Sequence, residues 1–368
     1  MSPLSSSVSI VRVEDVFKSV EKAIEAVCSL ESIVKPGDTV LIKPNVCAPK
    51  HPSTGVVADP RVAVAVALRV REAGATPIVG ESPIASFDAG EALLKSRFKE
   101  LCEKHSIELI PFDYQEGVYV SIPRAKALKA KVKVAKVALE SSCIISVPAL
   151  KAHHLTKVTL SLKNMKGIMI GKEKLKSHVM GLDASIVDLN RLFKPKLSVV
   201  SGLRALRGGP TSGEPIDVGV VVAGLDPVAV DSTLTHLMGL DPRGVGHIWL
   251  AHKEGLGEAD LKRIEVHLGS DLLDLQGLRL VPIEGKYQKL VRAVSKLAWL
   301  ASPFLRSWRQ PKLLWREDLC LKCWRCVSTC PRGALGLLEG KLVVDQERCV
   351  KCCMCIEACP AGALMIKS

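Results

Sequence analysis

Two stretches near the C-terminus restrict this chain more than any other feature. Cys320, Cys323, Cys326 and Cys330, followed by Pro331, read C-x2-C-x2-C-x3-C-P, and Cys349, Cys352, Cys355 and Cys359, followed by Pro360, repeat that spacing. Two-residue gaps let three successive thiolates wrap one face of a 4Fe-4S cubane, while the fourth Cys opens a short helix and points toward the opposite cluster. The arrangement therefore assigns Cys320, Cys323, Cys326 and Cys359 to one cluster, and Cys349, Cys352, Cys355 and Cys330 to a second. Zinc also takes four thiolates, but usually from two separated C-x2-C pairs rather than from triplets with a distal Cys-Pro.

The opening residues MSPLSSSVSIVRVED have neither the basic nor the apolar region of a secretion signal, so the expected compartment is the cytoplasm. Disulfides are rare there, and 13 Cys call for a metal or redox explanation, which eight of them supply. Residues 317–368, with GALGLLEGKLVVDQER between the two Cys runs, resemble a bacterial-type dicluster ferredoxin. That resemblance implies low-potential, single-electron transfer. Cys353 fits neither triplet and reads as a bystander. Cys28, Cys47, Cys102 and Cys143 are scattered and read as small buried hydrophobes, with Cys47 the one to watch.

At 368 residues and 48% hydrophobic, the chain can bury a sizeable core, which excludes disorder, and it has no apolar run long enough for a spanning helix. Up to about residue 285, short β-branched runs alternate with longer helical stretches, predicting an α/β domain with a largely parallel open sheet and flanking helices. Expected strands include Val40–Ile42, Pro77–Val79, Cys143–Val147, Leu197–Val200 and Val218–Val222. Asp59-Pro60 and Asp226-Pro227 each set an N-cap before a proline at the first helical position, Gly74 can close the first of these helices, and Asp88-x-x-Glu91 reads as a capping box. Only three Asn and five Gln occur, a depletion found in thermophile proteins.

Several polar residues fall just beyond the ends of expected strands: Lys43 and Asn45; Glu81 and Ser82; Lys151, His153 and His154; Ser201 to Gly213; and Asp226. Ligands of open parallel sheets bind in the crevice outside the carboxyl ends of the strands, so these residues converge on one expected pocket. From Lys151 to Gly181 there are seven Lys, including Lys163, Lys166 and Lys174, against the single acid Glu173, with His153, His154 and His178 interspersed. A phosphate or carboxylate is the natural complement. The three His match no metal-ligand spacing. The stretch GLRALRGGPTSG has neither the Lys-Ser/Thr of a P-loop nor a G-x-G-x-x-G, although its glycines would let the backbone approach a ligand closely.

IKPNV, DPRVAVAVALRVREAGATPIVGES, VPALKAHHLTKVTLSLKNMKGIMIG, SIVDLN and AGLDPVAVDSTLTHLMGLDP resemble domain of unknown function family 362, over roughly residues 8–270. The family is often fused to a C-terminal ferredoxin module, so the resemblance implies an iron-sulfur protein with no settled reaction. Similar proteins tend to carry acids in the glycine stretch where this chain has Ser201 and Arg204 to Gly209, which disfavours a carboxylate-ligated metal there and favours an anion.

Three domains are thus expected: 1–285, a connector over 286–316, and 317–368. The connector holds eight Lys and Arg, no acid, and three of the five Trp, suited to packing, to docking an acidic redox partner or to an anionic membrane surface; no module supports nucleic-acid binding. The leading expectation is a ferredoxin-dependent oxidoreductase, in which Lys43, Lys151 and Lys163 fix an anionic substrate and His153 or His154 donates a proton. The alternatives are a non-enzymatic electron carrier or assembly factor that recognises a partner protein, and a metal-dependent hydroxy-acid isomerase or racemase.

Overall fold

The computed structural model describes residues 6–269 and 312–367. The N-terminal part runs β1 (Ser6–Arg12), α1 (Val16–Glu25), β2 (Thr39–Pro44), α2 (Pro60–Glu72), β3 (Thr76–Glu81), α3 (Ala89–Lys95), α4 (Phe98–Lys104) and β4 (Glu108–Pro111). A small hairpin of β5 (Gly117–Val120) and β6 (Val132–Ala135) follows, then α5 (Lys136–Glu140), β7 (Cys143–Val147), β8 (Ala149–His153) and β9 (Lys157–Thr159). Next come α6 (Ser161–Asn164), α7 (Glu173–Met180), α8 (Leu182–Leu192), β10 (Leu197–Gly208), β11 (Gly213–Gly224), α9 (Pro227–Leu237), α10 (Gly246–Lys253) and β12 (Ile264–Leu268).

The main sheet has ten strands, eight of them in the order β12-β1-β11-β10-β7-β2-β3-β4, with β8 and β9 attached beside β10. Along that path only β11 runs against the others. The expected α/β class and largely parallel open sheet are therefore present. The chain leaves β2 toward β3 and β4 on one side and later returns to place β7 on the other, so the switch point of the topology lies between β2 and β7. That is where an open parallel sheet leaves a crevice at the carboxyl ends of its strands.

Local chemistry explains the elements. The Asp59 carboxylate accepts the Arg61 N–H to cap α2, whose Val62 to Ala67 are all buried, and Gly74 takes φ +79 after its end. Asp226 caps α9 through Val228 and Ala229 N–H. Asp88 accepts the Glu91 N–H, but Glu91 pairs with Lys95 one turn on, so only half of the expected capping box forms. The glycine-rich stretch after Val200 is not a loop. β10 continues through Arg204 to Gly208 and pairs with β11 from Gly213, with a register shift between Gly202 and Arg204. Similarly, Lys151 and His153 do not lie in a loop after β7; they sit on β8, held by β9 and β10.

The C-terminal module runs β13 (Lys312–Trp315), α11 (Arg325–Thr329), β14 (Leu335–Leu338), β15 (Lys341–Val344), α12 (Met354–Glu357) and β16 (Leu364–Lys367). β13 pairs antiparallel with β16, so Lys312 to Trp315, assigned to the connector by the sequence, are part of this small fold. Connector residues 286–311, with Trp299 and Trp308, lie outside the described residues. The two halves of the module repeat in backbone as well as in sequence: Lys322 and Trp324 have φ of 52 and 54, and their counterparts Lys351 and Cys353 have 55 and 57. Left-handed residues at these two places let a short loop turn each triplet of Cys inward. No helix among the described residues is long and apolar enough to cross a membrane.

Candidate functional site

The lysine-rich segment folds back over the switch point. α6, the turn after it and α7 lay Lys163, Lys166, Lys174 and His178 across the ends of β2 and β3, where they line a partly open cavity of about 70 Å³. Four Lys line it (Lys151, Lys163, Lys166 and Lys174) against two acids, Glu81 and Glu357. Glu357 does not come from this domain. It sits on α12 between Cys355 and Cys359, so the C-terminal module, with Met354 and Glu357, forms one wall of the cavity.

Lys43, an expected anion-binding group, is fully buried one layer behind the cavity. Its three ammonium protons go to Glu81 Oε2 at 2.6 Å, Pro44 O at 2.9 Å and Asn164 Oδ1 at 3.2 Å. Glu81 Oε2 also accepts the Val46 N–H, and its Oε1 the Ser82 N–H. Gly167 makes this packing feasible: a Cβ there would lie 2.1 Å from Glu81 Oε1 and 2.6 Å from Lys43 Nζ. Lys43 thus braces the pocket floor. Lys151 is also committed, donating to Val56 O (2.7 Å), Pro210 O (3.1 Å) and Cys47 Sγ (3.2 Å). Lys174 donates to Ser82 Oγ and Pro83 O.

Lys163 differs. It is 8% exposed, lines the cavity and makes no hydrogen bond among the described residues. Burial lowers its ammonium to about 7, Glu357 opposing and Lys166 and Lys151 reinforcing the shift. Burial likewise lowers Lys166 to about 8, with Glu357 opposing.

The histidines are fixed by their partners. His153 Nδ1 accepts the backbone N–H groups of Leu155 and Thr156, so its proton is on Nε2 and is donated to Glu357 Oε1 at 3.0 Å. His178 Nδ1 faces the carbonyl of Cys352 at 3.1 Å, which can only accept, so His178 carries its proton on Nδ1 and receives the Lys166 ammonium at Nε2. Both rings are neutral; burial, with Lys166 second, puts His178 at about 3, and burial lowers His153 well below the ordinary value. His154 is exposed and stacks on His153 with ring centroids 4.7 Å apart. Neither His153 nor His154 lines the cavity. Burial alone would raise the Glu357 carboxyl, but the Lys166 ammonium, the His153 hydrogen bond and the Lys163 ammonium outweigh it and hold it well below the usual range.

His153, His154 and Glu357 bring ligand atoms within 4.8 Å of one another. A metal on His153 Nε2 would need the ring proton on Nδ1, where two N–H groups already point, so the ring is set for Glu357 rather than for a cation. The cysteines are better suited. Cys320, Cys323, Cys326 and Cys359 line one internal cavity of the module, and Cys330, Cys349, Cys352 and Cys355 line another. Backbone N–H groups of Ala334 and Ala363 each lie 3.2 Å from Cys330 and Cys359 Sγ, equivalent places in the two halves. Such bonds favour a thiolate bearing cluster charge. Buried Cys353 packs beside the second set; Cys47, half-buried, lines the lysine-rich cavity.

The module is held by contacts on the same face. Thr211 Oγ donates to the Glu357 carbonyl at 3.0 Å, Lys50 Nζ to the Pro360 carbonyl at 3.4 Å, and Arg325 lies over the Phe87 ring at 5.0 Å. Glu357 was not singled out from sequence. Its only signal is a difference between the repeats, since the first half has Ser328 at the matching position.

A family model described as domain of unknown function (DUF362) matches residues 40–236, and one described as a 4Fe-4S dicluster domain matches residues 319–363. The thylakoid-associated protein sll1697 of Synechocystis sp. is 30% identical over 247 residues, covering 65% of this chain and 74% of the relative. Among solved structures, the lactate racemase apoprotein from Thermoanaerobacterium thermosaccharolyticum gives a TM-score of 0.40 at 11% identity, covering 59% of this chain and 53% of that one. The present chain therefore spans about half of that structure.

Proposed function

The chain belongs to the DUF362 family and ends in a 4Fe-4S electron-carrier domain, and on that premise we propose that it holds two 4Fe-4S clusters and delivers electrons to a small anion in the lysine-lined cavity. One observation carries this reading: Glu357, between two cluster cysteines, is itself a wall of the cavity and receives the His153 proton. Cys320, Cys323, Cys326 and Cys359 would hold one cluster, and Cys349, Cys352, Cys355 and Cys330 the other. When bound, each supplies one electron at low potential, together the pair that a two-electron reduction takes from an external reductant. Lys163 attracts the anion and, with its lowered proton affinity, can give a proton to it near neutral pH. Lys43, Lys151 and Lys174 keep the surrounding backbone and acids in place. His153 orients Glu357, and His154, stacked on it outside the cavity, is not placed to donate a proton there.

The anaerobically purified chain should contain about eight iron and eight sulfide. Cys330→Ser should halve both and remove the cluster of the second triplet, and Cys359→Ser that of the first. Site-selective spectroscopy showing loss of the local cluster instead would refute the crossed pairing. Reoxidation of the reduced chain in a screen of small anions tests the electron delivery itself; no anion-dependent reoxidation would sink it.

Binding should depend on pH. The anion needs Lys163 protonated, so affinity is full below about pH 7 and falls above it, by up to about tenfold per unit. Stability runs the other way. The unfolded chain binds more protons than the folded one between the folded values of about 7 to 8 and the ordinary lysine value, so unliganded stability rises with pH across that window. Titration calorimetry and denaturant unfolding at about pH 6, 7.5 and 9, running from roughly below that window into it, would show opposite trends; a flat affinity profile would remove Lys163 from the binding role.

A further inference from the structure

One lysine of the cavity is tied to the C-terminal module. Lys166 donates to His178 Nε2, and His178 Nδ1 donates to the carbonyl of Cys352 at 3.1 Å. Cys352 is the middle cysteine of the second triplet, so two hydrogen bonds connect a buried ammonium to the backbone of a cluster ligand. A carbonyl oxygen only accepts, so the ring proton points at Cys352 while the Nε2 lone pair faces Lys166. Each bond polarises the next, and both direct positive charge toward the cysteine.

Lys166 keeps most of its charge at neutral pH. Burial lowers it to about 8, and Glu357 and the Cys352 thiolate both work against that shift. Glu357 does not cancel the charge alone, because the same carboxylate accepts the His153 proton and also acts on Lys163. The link is confined to one half of the module. Cys323, the counterpart of Cys352, is exposed and makes no hydrogen bond to the α/β domain among the described residues. Cations near the first set are held differently: Arg325 lies over the Phe87 ring, and Lys50, partly exposed, donates to Pro360 O at 3.4 Å. Lys322 and Lys351 occupy equivalent places in the two halves and so do not distinguish them.

We infer that Lys166, acting through His178, raises the reduction potential of the cluster held by Cys349, Cys352, Cys355 and Cys330. Potentials of such clusters follow the net charge and hydrogen bonding around them. Uptake of one electron from the external reductant makes no bond and breaks none; it adds one negative charge to the cluster. A buried positive charge on that side stabilises the reduced state more than the oxidised one. Lys166 is thus a tuning residue that acts through another, not a catalytic one. The inference rests on the two-cluster reading above and needs no anion in the cavity.

The test uses the full-length, cluster-loaded chain under anaerobic conditions at neutral pH, titrated with dithionite and followed by electron paramagnetic resonance. Iron content of about eight first establishes the two clusters. Lys166→Met should lower one midpoint only, so that the reduced-to-oxidised ratio at its original value falls about tenfold, or about 59 mV for one electron. Lys166→Arg keeps the charge and the donor and should return most of the loss. His178→Phe keeps a flat ring but neither bond, and should shift the same midpoint downward. Lys166→Met in a Cys359→Ser background, which retains the second set, should still show the shift; in Cys330→Ser it should show none. Unchanged midpoints in Lys166→Met at full iron content, or equal shifts of both, would overturn the inference. If Lys166→Met loses iron, an unshifted midpoint in His178→Phe overturns it instead. A chain with no iron-sulfur signal would sink the two-cluster reading and the inference together, whereas a shift without anion-dependent reoxidation leaves the inference standing and counts against electron delivery alone.

Discussion

Glu357→Leu is expected to lower anion-dependent reoxidation by about two orders of magnitude or more while leaving iron content unchanged. Its carboxylate is the acid shared by His153, Lys163 and Lys166, and each of those Lys owes part of its remaining proton affinity to it. Without it, Lys163 loses its proton near neutral pH and the cavity loses its grip on an anion. Removing one member of a buried charged group costs about 3–5 kcal/mol, and here much of that is borne by the contact between the module and the large domain. Glu357→Gln separates the two effects, because a glutamine oxygen can still accept the His153 proton. It should hold the module in place yet weaken the anion. Limited proteolysis reports the docking, and iron analysis with reoxidation kinetics reports the rest; unchanged kinetics in both variants would remove Glu357 from the site.

Gly167→Ala should cost nearly as much although it adds one methyl group. Gly167 lies in ordinary backbone geometry, so the effect is purely spatial: the new carbon would sit 2.1 Å from Glu81 Oε1 and 2.8 Å from Lys43 Cε. Lys43 and Glu81 are 0% and 2% exposed at the side chain, and neither can retreat to water. Parting a pair this deeply buried costs about 3–5 kcal/mol. For a domain of this size that is a fall in Tm on the order of 10 °C. Replacing Lys43 with Met and Glu81 with Leu in the same background removes the charges that are being forced apart, and should return part of the loss. Thermal unfolding of the three proteins checks this; an unaltered Tm for Gly167→Ala would show that the floor of the pocket is softer than its geometry.

Much of this could be read from the residues. β2, β3 and β7 are buried on both faces, so their β-branched runs are nearly continuous, and the Asp-Pro pairs that open α2 and α9 are local signals with local causes. The second half of β10 was illegible because Arg204 to Gly208 have no strand-like pattern of their own; β11 supplies their partners from across a hairpin. Lys43 was misjudged for a related reason. Its pattern is that of an exposed cation, and the acid that permits its burial is 38 positions away. Lys163 and Lys151 look alike in sequence, yet one has all its protons committed and the other has none. Glu357 lay hidden because an acid in a ferredoxin-like helix is ordinarily turned to water, and nothing nearby in the chain announces a face prepared to receive it.

The cavity wall formed by Met354 and Glu357 bears on how such a chain can be taken apart. Cut between its two folded parts, it would give an α/β body with an open trough of lysines and a small protein with a stray buried acid laid bare. Neither fragment would contain the enclosure, which comes into being only when both are seated. The fusion is therefore no mere tether that raises local concentration: the cavity is encoded jointly, and the residues that complete it are more than 100 positions apart in the chain.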